Sequence, residues 1–156
     1  MARRQILKIG DETLKKKSKV VEVFDDRLKL LVDDMFETMH KAPGAGLAAV
    51  QVGVLKRVFV VDTGKGDMLF INPEIIESSG KNKIKYEACL SVPGKYGEVD
   101  RPEKVKVKFQ DLEGKWHEKT YSGYTCLAIC HEYDHLDGIL YCDKATKMYN
   151  DGEERK

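Results

Sequence analysis

Residues His131-Glu132-Tyr133-Asp134-His135 constrain this chain more than any other stretch. A helix advances about 100° per residue, so side chains four apart share a face. On a helix, His131 and His135 therefore present two imidazole nitrogens to one ion, with Glu132 beside it. A carboxylate there can take a proton from a water whose acidity the ion has raised. Leu127, Ala128, Ile129 and Leu136 surround the pair with apolar residues, which predicts a partly buried helix. Two buried histidines need partners, and a metal supplies them directly.

Two histidines leave a divalent ion short of protein ligands. His117 and His40 are expected at exposed places, in a hairpin and at a helix end. Cys130 points about 100° away from His131, and Cys126 follows the face of Cys130, so both read as small core residues. Cys142 follows the helix closely and is the weaker candidate. Cys89 is the better one, because Tyr86 to Pro93 is bounded by turn residues.

The remaining chain reads as one domain over residues 1–149, followed by a polar tail from 150 to 156 that is expected to be disordered. Phe24-Asp25-Asp26 starts a helix, and Leu28, Leu31, Val32, Met35, Phe36 and Met39 recur along it at core spacing until Pro43-Gly44. Residues 57–62 and 68–76 read as strands, the second carrying Asn72-Pro73. Val105, Val107 and Phe109 alternate with polar residues, and Asp111 to Gly114 turns the chain into a hairpin partner, Trp116 to Tyr121. A second helix spans Tyr124 to Leu136. The expected fold class is α+β, with mixed or antiparallel sheets packed around a central helix in the C-terminal half that carries the histidine pair.

Charge argues against several functions. Lys and Arg total 27 and Asp and Glu 26 in 156 residues, for a net charge of +1. That balance gives no direct nucleic-acid site, and Lys15-Lys16-Lys17 reads as a solvated face. No apolar run approaches the roughly 20 residues that span a bilayer. No secretory signal is visible, so the cytoplasm is the expected compartment, where four cysteines remain thiols or metal ligands.

Three segments resemble the peptide deformylase family in order and spacing. Gly44-Ala45-Gly46-Leu47-Ala48-Ala49-Val50-Gln51 is similar to its G-x-G-L-A-A-x-Q motif. Glu87-Ala88-Cys89-Leu90-Ser91 is similar to E-G-C-L-S, and residues 131–135 to H-E-x-D-H. The resemblance covers nearly the whole chain outside the tail. It implies Cys89, His131 and His135 as ligands of one divalent ion, with Fe(II) favoured and zinc, nickel or cobalt able to occupy the same donors. It implies Glu132 as general base and acid, and Gln51 and the Leu90 backbone N–H as oxyanion donors. Gly44 and Gly46 would let a peptide backbone come close, and Leu127 and Ala128 would line a methionine pocket. Arg101 matches an arginine that contacts the peptide, with a surface salt bridge as the alternative. The implied substrate is a formyl-methionyl nascent peptide, deformylated to release formate, and the implied setting allows transient ribosome association.

Three positions depart from the family pattern: Val50 for proline, Ala88 for glycine, and Cys130 for glutamine. Alanine at 88 would be strained by about 1 kcal/mol if the backbone there required a positive φ. Cys130 would put an oxidisable thiol near the metal. Asp134 reads as an ion-pair residue facing away from the metal.

Overall fold

The computed structural model describes residues 2–150. Helix α1 (Asp26–Lys41) starts where its acidic residues anticipate: the Asp25 side chain accepts the Leu28 N–H at 3.1 Å. Its buried stripe, including Leu28, Leu31, Val32, Met35 and Met39, packs against β1 (Gly46–Ala48) and β2 (Val58–Val61). Strands β3 (Met68–Ser79), β6 (Lys104–Gln110) and β7 (Trp116–Ser122) complete a five-stranded antiparallel sheet in the order β1-β2-β3-β6-β7. The hairpin of β6 and β7 pairs in continuous register from Lys104 with Ser122 to Gln110 with Trp116.

A second antiparallel sheet, order β4-β5-β8, is built from β4 (Asn82–Cys89), β5 (Val92–Arg101) and β8 (Lys147–Asn150). Asn150, assigned to the tail on sequence, instead ends β8 opposite Lys95, and the rest of that tail lies outside the described residues. This sheet has little apolar interior of its own. Cys89, Val92, Val99 and Tyr141 form its buried cluster, Tyr141 being the first residue of the short α3 (Tyr141–Lys144).

Helix α2 (Gly123–Leu136) lies between these layers and packs against β1, β2, β6 and β7. It is buried around most of its circumference, as an apolar segment with few solvated positions requires. Cys126, Ile129 and Leu136 join Phe59, Phe70 and Phe109 in the main core, where the Phe59 and Phe70 rings stack at 4.8 Å. The α+β arrangement around a central helix is thus the observed one.

Asn72 holds the only positive φ (49°) of a non-glycine among the described residues. It sits where β3 shifts register between Ile71 and Glu74. Its Oδ1 accepts the Val21 N–H at 2.7 Å, and its Nδ2 donates to Val21 O at 2.9 Å and Gln110 Oε1 at 2.7 Å. The side chain thereby acts as an extra strand rung, stitching the N-terminal segment to the large sheet. Asn72→Ala is expected to cost about 2–4 kcal/mol in urea unfolding. Asn72→Gly, which keeps the backbone freedom but loses the same bonds, should cost about 1 kcal/mol less.

Candidate metal centre and active site

The two layers meet at a cluster of donor atoms. His131 and His135 project from one face of α2, their ring centroids 5.1 Å apart. Cys89 ends β4, where Leu90-Ser91 turns the chain into β5 and Cys89 pairs with Val92. One donor atom from each of Cys89, His131 and His135 lies within 4.8 Å of the other two. Cys89 Sγ is 3.4 Å from His135 Nε2.

The chemistry of this donor set fits a divalent ion. His131 Nδ1 lies 2.7 Å from Glu87 Oε2, so the second ring nitrogen, Nε2, is the one turned to the cluster. Burial holds the His135 pKa well below its ordinary value, which keeps that imidazole neutral with a lone pair to donate. For His131 burial acts the same way, but the neighbouring Glu132, Cys89 and Glu87 outweigh it and raise its pKa. A thiol, two imidazoles and a carboxylate gathered out of water are an expensive group unless a cation neutralises them. One thiolate and two imidazoles suit iron, zinc, cobalt or nickel and leave a coordination position for water.

Glu132 follows His131 on the helix, its Oε2 3.9 Å from His131 Nε2 and its Oε1 buried without a hydrogen-bond partner among the described residues. Burial pushes its pKa up to about 7, partly opposed by the charge of His131. A cation placed beside it would draw that value down again. Above the cluster opens a cleft of about 470 Å³. Gly44, Gly46 and Gln51 form one wall, Cys89 and Leu90 another, and Leu127, Ala128, His131 and Glu132 the helical side.

Residues 3–151 match the family model for polypeptide deformylase. The chain belongs to the polypeptide deformylase family. Peptide deformylase from Finegoldia magna is 50% identical over 157 aligned residues, covering 99% of this chain and 97% of that protein. The Caldicellulosiruptor bescii peptide deformylase is 52% identical, over 98% and 92%. Among solved structures, the Thermotoga maritima peptide deformylase superposes with a TM-score of 0.91 at 39% identity, over 94% of this chain and 100% of that one. The Legionella pneumophila peptide deformylase gives 0.89 at 45% identity, over 93% and 87%. This deformylase therefore carries the family activity: metal-dependent hydrolysis of the N-formyl group on the N-terminal methionine of nascent polypeptides, with release of formate.

Most residues singled out in the sequence line the deformylase cleft. Gln51 is buried, its Oε1 accepting the Ala48 N–H at 2.9 Å. Its Nε2 reaches Ser91 Oγ at 3.0 Å and Cys89 Sγ at 3.7 Å. A Cβ on Gly46 would stand 2.6 Å from Glu132 Oε2 and 2.8 Å from its Cγ, so any side chain there must displace Glu132, whereas one on Gly44 would meet the tip of the Leu90 side chain, 2.6 Å from Cδ1. Cys142, on α3, falls outside the donor cluster. Ala88 has no positive φ, so the substitution for glycine brings no backbone strain. Cys130 is buried and its thiol is pushed up to about 12 by that burial, which leaves it a poor nucleophile toward oxidants.

Arg101 is the correction. It is neither in the cleft nor on the surface: its side chain is 3% exposed. It donates to Glu87 through Nε at 2.9 Å and Nη2 at 2.5 Å, and to Asp134 Oδ2 through Nη1 at 2.7 Å. Asp134 in turn meets Lys144 Nζ. A guanidinium has five donors in a planar fork, which suits it to hold two carboxylates at once out of water. Glu87 went unassigned on sequence, although its position two residues before Cys89 on a strand puts both on one face. Ser91, the last residue of the Glu87–Ser91 motif but given no role on sequence, accepts from Gln51, and Ile84, Tyr86 and Tyr124 line the cleft with no sequence signal to mark them.

Burial raises the Glu87 pKa, but the His131 hydrogen bond and Arg101 more than offset it, bringing it from 4.5 to about 2. A carboxylate lowered in the folded state adds stability that is complete above its unfolded pKa and is lost as pH falls through the folded one. Glu87 should therefore steepen the loss of stability between about pH 5 and pH 2, and Glu87→Gln should flatten that limb in urea titrations across pH. Arg101→Met, which strands two buried carboxylates, is expected to cost about 3–5 kcal/mol.

Proposed function

We propose that Cys89, His131 and His135 hold one divalent ion, Fe(II) favoured by the family resemblance, with zinc, nickel or cobalt suited to the same donors. When bound, such an ion acidifies a coordinated water and polarises a carbonyl oxygen. The observation that carries this reading is the convergence of three donors from two layers beneath an open cleft, with the Glu132 carboxylate beside them.

Glu132 takes the proton of the attacking water and returns it to the leaving amine, a role supported by its buried, unpartnered Oε1 and the position of its carboxylate beside the donor cluster. Negative charge then gathers on the former formyl oxygen. Gln51 Nε2 and the Leu90 backbone N–H donate to it, which is worth about 10²–10³ in rate per donor. Gln51 is suited to this because the Ala48 N–H fixes its amide orientation. Gly44 and Gly46 admit the substrate backbone, and Leu127 and Ala128 receive the methionine side chain. Arg101 acts from behind, by holding Glu87 against His131. Both sheets contribute to one site, which supports treating residues 1–149 as a single catalytic domain.

The formyl-methionyl nascent peptide is the partner, with transient ribosome contact and a cytoplasmic setting as parts of the same proposal. No helix of the described residues is long and apolar enough to cross a membrane.

Formate release from a formyl-methionyl tripeptide, by protein purified without oxygen, tests the reading. A strong chelator should abolish turnover, and Fe(II) or nickel should restore it. Glu132→Gln should keep its metal and lose about 10²–10⁴ in kcat. Cys89→Ala should lose the metal itself, measured as metal content per chain. Gly46→Ala should lose activity without losing metal, since its Cβ would stand 2.6 Å from Glu132 Oε2 and push that carboxylate aside. Full activity of Glu132→Gln would sink the assignment of the proton carrier.

A further inference from the structure

A short stretch near the N-terminus joins the Gln51 backbone to the Leu90–Ser91 turn. The Leu7 N–H donates to Gln51 O at 2.7 Å, and the Ile9 N–H donates to Ser91 O at 2.7 Å. N–H groups two residues apart point to the same side of an extended chain, so one stretch can serve both. Between them, Lys8 Nζ donates to Leu90 O at 3.2 Å. We propose that this strap, with Lys8 as its positioning residue, sets the gap between Gln51 Nε2 and the Leu90 N–H during deformylation. Such a role depends on those two groups being the oxyanion donors, as assigned above.

Neither donor is fixed by the secondary structure around it. Leu90 and Ser91 make the turn between β4 and β5, with Cys89 and Val92 the last residues to pair across it. The peptide between Leu90 and Ser91 lies outside that ladder, so its orientation rests on contacts from elsewhere. Gln51 sits in one short 3-10 turn, Ala49–Val52. The last carbonyls of such a turn lack a partner within it, and the Leu7 N–H supplies one. Gln51 and Ser91 are both buried, so their backbone groups have no water to fall back on. Gln51 Nε2 also donates to Ser91 Oγ at 3.0 Å, which closes a ring from Gln51 through Ser91, Ile9 and Leu7 back to Gln51.

Lys8 is the one link in this ring that a side-chain change can cut. It is exposed, and no carboxylate among the described residues pairs with it. Its ammonium is turned instead to the carbonyl of the residue whose N–H faces the forming charge. Holding that carbonyl limits the rotation of Leu90 and so aims its N–H. Oxyanion donors act only when they stand at hydrogen-bond distance from the place the oxygen will take, and a drift of about 1 Å can cost up to about 10²-fold. None of residues 7–9 lines the cleft, so the strap bears on turnover and leaves the binding of the peptide alone.

The test compares kcat and KM for a formyl-methionyl tripeptide in the metal-loaded enzyme and in variants, with metal content per chain measured for each. Lys8→Met should lose about tenfold in kcat at unchanged KM and metal content. Lys8→Arg, which keeps a donor on a long stem, should recover most of that loss. Gln51→Ala should lose about 10²–10³ in kcat. With Gln51 gone there is no gap left to set, so adding Lys8→Met to Gln51→Ala should cost only about twofold more. Wild-type kcat in Gln51→Ala would remove the donor assignment and the strap's role with it. Where Gln51→Ala is slow, the role of Lys8 alone is overturned by wild-type kcat in Lys8→Met, by a loss carried in KM, by no recovery in Lys8→Arg, or by an equal loss in both backgrounds.

Discussion

The Glu87 carboxylate is the joint on which the two halves of the molecule depend. It sits on β4, in the small sheet, and faces α2, which is embedded in the large one. One side of it accepts the Arg101 fork from β5, and the same group meets His131 Nδ1 on the helix. Arg101 closes the circuit by reaching Asp134, a turn further along α2. Charged groups joined in this way out of water add little net stability compared with apolar packing. What they supply is direction: bonds between fixed donors and acceptors admit few alternative arrangements, whereas apolar contacts can slide. A site that must place a sulfur from one sheet against nitrogens from a helix needs that kind of joint.

The same logic explains why so much of this molecule could be read from its sequence, and where reading stops. Local signals fixed α1, because Asp25 caps it and its apolar spacing is regular. They fixed the β6–β7 hairpin, because alternation and a turn set its register. The histidine pair declared its own helix, since spacing of four has meaning only there. The small sheet was less legible. Its strands β4 and β5 carry alternating lysines, glycines and acidic residues with only four buried apolar or thiol positions in the cluster beneath them. With so little hydrophobic patterning, pairing is decided by partners distant in sequence.

Arg101 shows the same limit on a single residue. Exposed arginines are the rule, and its neighbours Asp100 and Pro102 suggest a loop. Only the fold reveals that Glu87 and Asp134 converge on it, and that its 3% exposure is made tolerable by two carboxylates. Ala88 taught the reverse lesson. A glycine position in a relative need not mean a glycine-only backbone, and here the chain passes through 88 without entering the left-handed region. Gly46 is different, since the obstacle to a side chain there is the Glu132 carboxylate itself.

The thin interior of the small sheet also bears on how long the centre can last. Parts of a protein open and reclose independently, and the parts with least buried apolar surface open most often. The sheet that delivers Cys89 rests on four such residues, while the helix that delivers both histidines is set in the main core. Brief local opening would then withdraw one donor while leaving two in place. The residence time of an ion held by the three proposed ligands would be governed by the breathing of that sheet, well before the molecule as a whole unfolds.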